Sequence, residues 1–233
     1  MGKFLSDIEL RRLRELLGLY MGMPFTTDIP GETAEYILSK ARKGKWQAKR
    51  ANRPEPDMVL KGKNYSIKTE KLTGKAKDRL GTKEDIITAR PDPSAEFPAG
   101  KTLGDFSDDE LGELVLQHYN REIVRRYHWD IIAILLRSHD NKAFIYFEEP
   151  AVEYRPAMYS WRPTQRAKGD NRNIAGYDQH SDLKFKWTSR GKQLYVVHDI
   201  PSDADYFTIT PTKFDLKRLL EMTRRVKRHS YPS

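Results

Sequence analysis

The chain has 233 residues, of which 38% are hydrophobic and 32% are charged, and it is long enough to bury a sizeable core. It contains no cysteine, which excludes disulfides, thiolate metal sites and thiol nucleophiles. The net charge of +9 attracts polyanions, among which DNA and RNA are the commonest partners. Because no apolar run approaches the ~20 residues that span a bilayer and no secretory signal opens the sequence, we expect a cytoplasmic protein without membrane contact.

The first two predicted elements are helices. Residues 4–22 place leucines at intervals of three and four, which indicates an amphipathic helix with Ser6 as its N-cap. A second helix is predicted to begin after Pro30 and to end near Gly44. The basic connector 45–56, which contains prolines, then leads into a β-hairpin.

The hairpin is the most informative stretch of the sequence. Asp57 precedes a short apolar strand, Gly62-Lys63-Asn64 is the predicted turn, and the second strand carries Ser66 and Lys68. Because side chains alternate along a strand, Ser66 and Lys68 are expected to share one face, with Glu70 beside them if the strand continues.

The rest of the chain is predicted to mix strands and helices. Ser107, with Glu110 three residues later, resembles a capping box that opens a helix ending near Arg126. The remaining predictions, in chain order, are a helical or irregular segment (71–87), a loop (88–105), two strands (130–138 and 142–149), an irregular basic segment (154–182), a hairpin (184–200), a strand (205–210) and a basic helix (214–230). We therefore expect an α/β fold, a single mixed domain with a central β-sheet flanked by helices.

An aspartate beside a lysine on neighbouring strands suits phosphodiester cleavage. A carboxylate binds hard divalent cations, and Mg²⁺ needs only one or two protein carboxylates in addition to phosphate and water. A lysine can polarise the attacking water and stabilise the charge that develops on the phosphate oxygens. The hairpin therefore predicts a site built around Asp57 and Lys68.

The pattern Pro-Asp, apolar strand, turn and hydrophobic-x-Lys resembles the active site of the PD-(D/E)xK nucleases, particularly the type II restriction endonucleases. The resemblance implies that Asp57 is the central Mg²⁺ ligand and Lys68 the catalytic lysine. The family usually has an acid two residues before the lysine, whereas this chain has Ser66. Some restriction enzymes with a serine at this position take the missing acid from a nearby helix.

The replacement acid has more than one candidate. Glu84 is favoured because it could come from a helix after the hairpin, and Glu70 has the correct strand parity. A further family feature is an acid on the helix before the Pro-Asp strand. Glu35 fits that place and could contact the metal or its water.

Residues 154–173 interleave basic, aromatic and amide side chains. Arginine reads guanine, and asparagine or glutamine reads adenine, by paired hydrogen bonds in the major groove, although any basic surface loop has a similar composition. The predicted DNA-binding residues are Arg155, Arg162, Gln165, Arg166, Lys168, Asn171, Arg172 and Asn173. The basic helix 214–230 is expected to contact the DNA backbone or to present a solvated face.

Taken together, these features predict a Mg²⁺-dependent endonuclease for double-stranded DNA, restriction-endonuclease-like in fold. A homodimer would supply two active sites for the two strands. In this interpretation residues 1–50 form an N-terminal helical part, 51–150 the catalytic core and 151–233 a basic region within a single domain. The alternatives are a non-catalytic nucleic-acid-binding protein and a structure-specific repair nuclease.

Overall fold

Two β-sheets and three α-helices are built from the residues that the computed structural model describes, namely 4–24, 26–47, 56–164 and 172–212. Helix α1 spans Asp7–Met21, α2 Gly31–Arg42 and α3 Asp108–His118. Both predicted capping positions are confirmed, since Ser6 and Ser107 each accept a backbone hydrogen bond from a glutamate three residues later. The predicted basic helix 214–230 lies outside the described residues.

The strands are numbered in chain order: β1 Lys45–Trp46, β2 Met58–Leu60, β3 Lys63–Lys71, β4 Lys83–Ala89, β5 Ile131–Arg137, β6 Ala143–Pro150, β7 Ser160–Pro163, β8 Asn173–Tyr177, β9 Leu183–Thr188, β10 Gln193–Asp199 and β11 Asp205–Thr208. The first sheet has the order β1-β2-β3-β5-β6-β11 and the second has the order β4-β10-β9-β8-β7. Every neighbouring pair is antiparallel except β3 and β5, which run parallel.

The hairpin β2–β3 is confirmed, but its turn is one residue earlier and shorter than predicted. Lys61 and Gly62 connect the strands, and both have positive φ, 50° and 77°. Two consecutive residues with positive φ are what a two-residue type I′ hairpin turn requires, and glycine adopts that conformation without strain. The residues predicted to follow the turn, Lys63 and Asn64, already belong to β3.

The two faces of the first sheet have different coverings. Helices α1 and α2 pack on the face that carries Tyr65 and Ile67, where they form one apolar cluster. On the opposite face Ile132 and Ile134 pack against Ile86 of β4, so the second sheet covers this side. Ser66 and Lys68 lie beside Ile132 and Ile134 in the register, and strand alternation directs them to this second face.

Helix α3 lies in the crossover from β3 to β5 and packs on the second sheet. Gly112 of α3 faces Trp161, and a Cβ built at this glycine would lie 2.2 Å from the indole ring. The absence of a side chain at Gly112 therefore lets the helix approach β7 closely. After α3 the chain continues through a π-helical segment, Tyr119–Arg125, and then enters β5.

Two sequence predictions about segments of the fold need correction. The segment 71–87 is not simply helical or irregular, because β4 begins within it, and the segment 154–182 contains β7 and β8. The expected α/β fold, a single mixed domain with a sheet flanked by helices, is confirmed, and a second sheet accompanies the first. Strands on either side of position 150 pair with each other, since β4 pairs with β10 and β6 pairs with β11.

Candidate active site

The carboxylate of Asp57 is held against the backbone of β3. Its Oδ2 accepts a hydrogen bond of 2.7 Å from the N–H of Ile67, and the Asp57 N–H donates to the carbonyl of Tyr65 at 2.9 Å. Because β2 begins only at Met58, the Ile67 N–H extends past the end of that strand, and the carboxylate satisfies it. The backbone thereby fixes Asp57 at the start of the hairpin.

Ser66 contributes a second, longer contact to the same oxygen. Its hydroxyl lies 3.4 Å from Asp57 Oδ2, and the side chain is fully buried, with 0% exposure. Asp57 is itself only 7% exposed. A hydroxyl so placed can orient the carboxylate but does not reach solvent, so the geometry gives Ser66 a positioning role.

Lys68 approaches the same region from two residues further along β3. Its ammonium nitrogen lies 4.7 Å from the centre of the Trp129 ring. An aromatic face attracts a cation at this distance and restricts where the ammonium can lie. Trp129 was not predicted as a site residue, because its proximity to Lys68 depends on the parallel pairing of β3 with β5.

Trp129 is held in place by neighbours on both sides. The carboxylate of Asp130 accepts the N–H of Asn64 at 2.7 Å, and the Asn64 side-chain amide donates to the carbonyl of His128 at 2.9 Å. The segment that carries Trp129 is therefore attached to the first residues of β3. This attachment places the indole on the Lys68 side of the hairpin.

The three glutamates proposed as additional ligands are dispersed. Glu84 was expected on a helix and lies instead on β4, where its carboxylate forms an ion pair with Arg79. Glu70 is on the same strand as Ser66 but four residues further along, about 13 Å at the usual rise of a strand. Glu35 is 4% exposed and lies on α2, the helix that packs against β1, β2 and β3.

These positions bear on the predicted metal site. Across the described ranges, no three histidine, aspartate or glutamate side chains are grouped so that they could hold a metal ion. The predicted set of Asp57, Glu70 and Glu84 is therefore not assembled. Mg²⁺ is often bound by only one or two protein carboxylates, with substrate phosphate and water as the other ligands. Asp57 fits a site of that kind.

The predicted DNA-binding residues fall into four groups. Arg155 and Arg162 are exposed, and the Arg162 guanidinium lies 4.9 Å from the Tyr177 ring centre. Asn173 begins β8 and is half-buried. Arg172 forms an ion pair with Asp108 and donates to two backbone carbonyls, so it would have to leave these contacts to reach DNA. Gln165, Arg166, Lys168 and Asn171 lie outside the described residues.

A second polar group lies on the same face of the first sheet and was missed by sequence reasoning. His198 Nδ1 lies 2.7 Å from a carboxylate oxygen of Glu149, and its Nε2 lies 3.1 Å from the hydroxyl of Thr88. The three residues come from β10, β6 and β4. The only local signal is the acidic Glu148-Glu149 pair at the end of a buried strand, which is also typical of a strand leaving the core.

Comparison of the chain with family models, with curated proteins and with solved structures finds no match. Among the helices in the described ranges, none has the length and apolar composition needed to cross a membrane.

Proposed function

We propose that this protein is a Mg²⁺-dependent endonuclease that hydrolyses phosphodiester bonds in double-stranded DNA, acting as a homodimer in the cytoplasm. The observation that supports it is that Asp57 contacts β3 at Ser66 and Ile67, while Lys68 lies on the same face of β3 as Ser66. The resemblance to type II restriction endonucleases supports the same reaction. It rests on Pro56-Asp57, the apolar strand and Lys68.

Asp57 supplies the fixed negative charge of the proposed site. The Ile67 N–H holds one carboxylate oxygen at 2.7 Å, which sets the direction of the group without help from the substrate. Such preorganisation avoids the cost of orienting the ligand during the reaction. Bound Mg²⁺ would supply Lewis-acid chemistry at the scissile phosphate.

Lys68 supplies the fixed positive charge. Its ammonium would donate hydrogen bonds to a phosphate oxygen or to the attacking water, which stabilises the negative charge that grows during in-line displacement. The Trp129 ring limits the positions open to the ammonium, because the attraction to the ring is greatest over its face. Asp57, directly before β2, and Lys68, on β3, thus act on one phosphate.

The overall charge and the exposed arginines support DNA as the substrate. A net charge of +9 favours association with a polyanion, and Arg155 and Arg162 are available at the surface. The duplex has two strands to cut, which is why a second copy of the chain is part of the proposal.

One observation favours the alternative of a non-catalytic nucleic-acid-binding protein. Asp57 satisfies a backbone N–H, and Lys68 stacks on an aromatic ring, so each side chain also has a structural use. In that alternative the hairpin would only be stabilised by these contacts. Cleavage is then the property that separates the two functions.

The test is incubation of supercoiled plasmid and linear duplex with the protein, with Mg²⁺ or with a chelator. The proposal predicts Mg²⁺-dependent cleavage into discrete fragments whose sequenced ends share a common site. Binding without cleavage at any divalent metal would support the binding protein instead. Preferential cutting of branched duplexes would support a structure-specific repair nuclease.

A further inference from the structure

A small cavity opens beside the second polar group, away from Asp57 and Lys68. Its volume is about 200 Å³, and it is bordered by the end of β6, by β9 and β10 and by the segment that follows β6. The side chains that define its chemistry are Glu149, Tyr154, Tyr159, Lys184, Phe185, His198 and Asp199. Cavities of about 150 Å³ accept a benzene ring, so this one has room for a single six-membered ring.

The carboxylate in the cavity is rigidly held. The His198 side chain is 1% exposed and contacts Glu149 at 2.7 Å, whereas the Glu149 side chain is 29% exposed. Because an ionised carboxylate only accepts hydrogen bonds, His198 Nδ1 is the donor in this contact. Thr88 lies 3.1 Å from the other ring nitrogen and fixes the imidazole. The buried histidine therefore orients Glu149 towards the opening.

The aromatic walls form a corner. Tyr154 and Tyr159 each meet Phe185 edge-on with 4.8 Å between ring centres, and the two tyrosine rings are inclined at 78° to each other. Burial raises the pKa of Tyr159, so its hydroxyl remains protonated near neutral pH and can donate a hydrogen bond. The walls therefore offer ring faces and edges to a planar group.

Lys184 gives the cavity a cationic donor besides the carboxylate acceptors Glu149 and Asp199. Its ammonium forms an ion pair of 3.4 Å with Asp178, which lies outside the lining. A ligand that matches both groups needs N–H donors on one edge and an oxygen or nitrogen acceptor on another.

We propose that this cavity binds a cytosine ring. The amino group on C4 of cytosine is a donor that glutamate accepts in protein–DNA complexes, and the ring acceptors would face Lys184. A pyrimidine also fits the volume, and tyrosine rings suit stacking on a base.

The position of the cavity suggests how DNA would present the base. Glu149 pairs with Ile132, which pairs with Ser66, and Asp57 lies one strand beyond Ser66, so three strand spacings, about 14 Å, separate Glu149 from Asp57. That span is close to four steps of ~3.4 Å along one DNA strand. This step rests on the proposed nuclease function, since a base of the bound strand would have to leave the stack to enter.

The test is titration of the full chain with cytidine and, separately, with uridine, followed by NMR or calorimetry. Cytidine should bind more tightly than uridine by about tenfold, and Glu149→Gln should weaken cytidine binding by at least about tenfold because it removes the charged acceptor. The matched control is Glu153→Gln, which removes an exposed carboxylate outside the cavity and should leave the affinity unchanged.

Two further measurements make the result decisive. Tyr159→Leu removes an aromatic wall of the cavity and keeps the Glu149 carboxylate, and it should also weaken cytidine binding. This variant provides the test if Glu149→Gln proves poorly folded in a thermal melt. Equal affinity for cytidine and uridine, or displacement of cytidine by methylammonium at similar concentration, would overturn the proposal. Nucleoside binding can be measured without cleavage. If the protein cleaves DNA but does not bind cytidine, the cavity assignment is rejected and the nuclease proposal stands.

Discussion

The Asp57 carboxylate accepts the backbone N–H of Ile67 at 2.7 Å, so the proposed metal ligand also closes the open end of the hairpin. The two roles make different demands on the side chain. Holding the N–H requires an oxygen acceptor, whereas holding Mg²⁺ requires a negative charge. Substitutions at this one position can therefore separate stability from catalysis.

The first prediction concerns the stability of the hairpin. Asp57→Asn keeps an oxygen that can accept the Ile67 N–H, whereas Asp57→Ala leaves this N–H without its partner. We expect Asp57→Ala to lower the free energy of unfolding by about 1–3 kcal/mol and Asp57→Asn by clearly less. Urea unfolding followed by circular dichroism measures both. Equal losses for the two variants would show that the hydrogen bond contributes little.

The second prediction concerns DNA binding without metal. Removing the carboxylate removes its repulsion against phosphate, so Asp57→Asn should bind duplex DNA as tightly as the unmodified protein, or more tightly, in a chelating buffer. Fluorescence anisotropy with a labelled duplex gives the dissociation constant. Weaker binding by Asp57→Asn would mean that the carboxylate organises the DNA-binding surface.

The third prediction concerns Lys68 and Trp129. Lys68→Ala should lose most cleavage without unfolding. Trp129→Leu should reduce the cleavage rate up to about thirtyfold, since a cation–π contact is worth up to ~2 kcal/mol when it is desolvated. Lys83→Ala is the control, because Lys83 is an exposed lysine on β4. If Lys68→Ala cleaves at the rate of the unmodified protein, the hairpin has a structural role and not a catalytic one.

The fourth prediction concerns the missing acid. Glu84 is engaged by Arg79 and Glu70 lies far along β3, so neither Glu84→Gln nor Glu70→Gln should change the Mg²⁺ concentration needed for half-maximal cleavage. Glu35→Gln should not change it either, because α2 packs on the face of the sheet that carries Tyr65 and Ile67, opposite to Ser66 and Lys68. A raised Mg²⁺ requirement in any one variant would instead identify that glutamate as a ligand. Three variants with unchanged Mg²⁺ dependence would leave Asp57, phosphate and water as the ligands.

The fifth prediction concerns the packing of α3 on the second sheet. Alanine normally stabilises a helix relative to glycine by ~1 kcal/mol, but a Cβ at Gly112 would lie 2.2 Å from Trp161. We expect Gly112→Ala to destabilise the protein by about 1–3 kcal/mol. Gly31→Ala is the control, since a Cβ there meets no atom within 4 Å. A thermal melt in which both variants match the unmodified protein would contradict the packing argument.

Local signals explain which parts of the fold could be predicted. The capping residues Ser6 and Ser107 act within one helical turn, and the hairpin strands are neighbours in sequence, so each pattern contains its own partners. Strand β4 was missed because it begins with three charged residues and takes its pairing from β10, more than a hundred positions later. Long-range pairing of this kind leaves little trace in local alternation.

The same distinction applies to the candidate site. Asp57, Ser66 and Lys68 could be grouped because they share one hairpin. Trp129 reaches Lys68 only through the parallel pairing of β3 with β5. The contact between His198 and Glu149 likewise depends on how the two sheets pack. Glu84 was assigned to a helix because the resemblance implies that the replacement acid comes from a helix near the hairpin. Its ion pair with Arg79 could not be predicted from the sequence.

The central claim is that Asp57 takes part directly in Mg²⁺-dependent phosphodiester cleavage. The most direct test measures the single-turnover cleavage rate of a duplex, across Mg²⁺ concentrations, for the unmodified protein, Asp57→Asn and the exposed control Asp182→Asn. We predict cleavage by the unmodified protein and by Asp182→Asn, and a loss of at least about a hundredfold in folded Asp57→Asn, equivalent to about 2.7 kcal/mol of transition-state stabilisation. Cleavage by Asp57→Asn at the unmodified rate and with the same Mg²⁺ dependence would contradict the account.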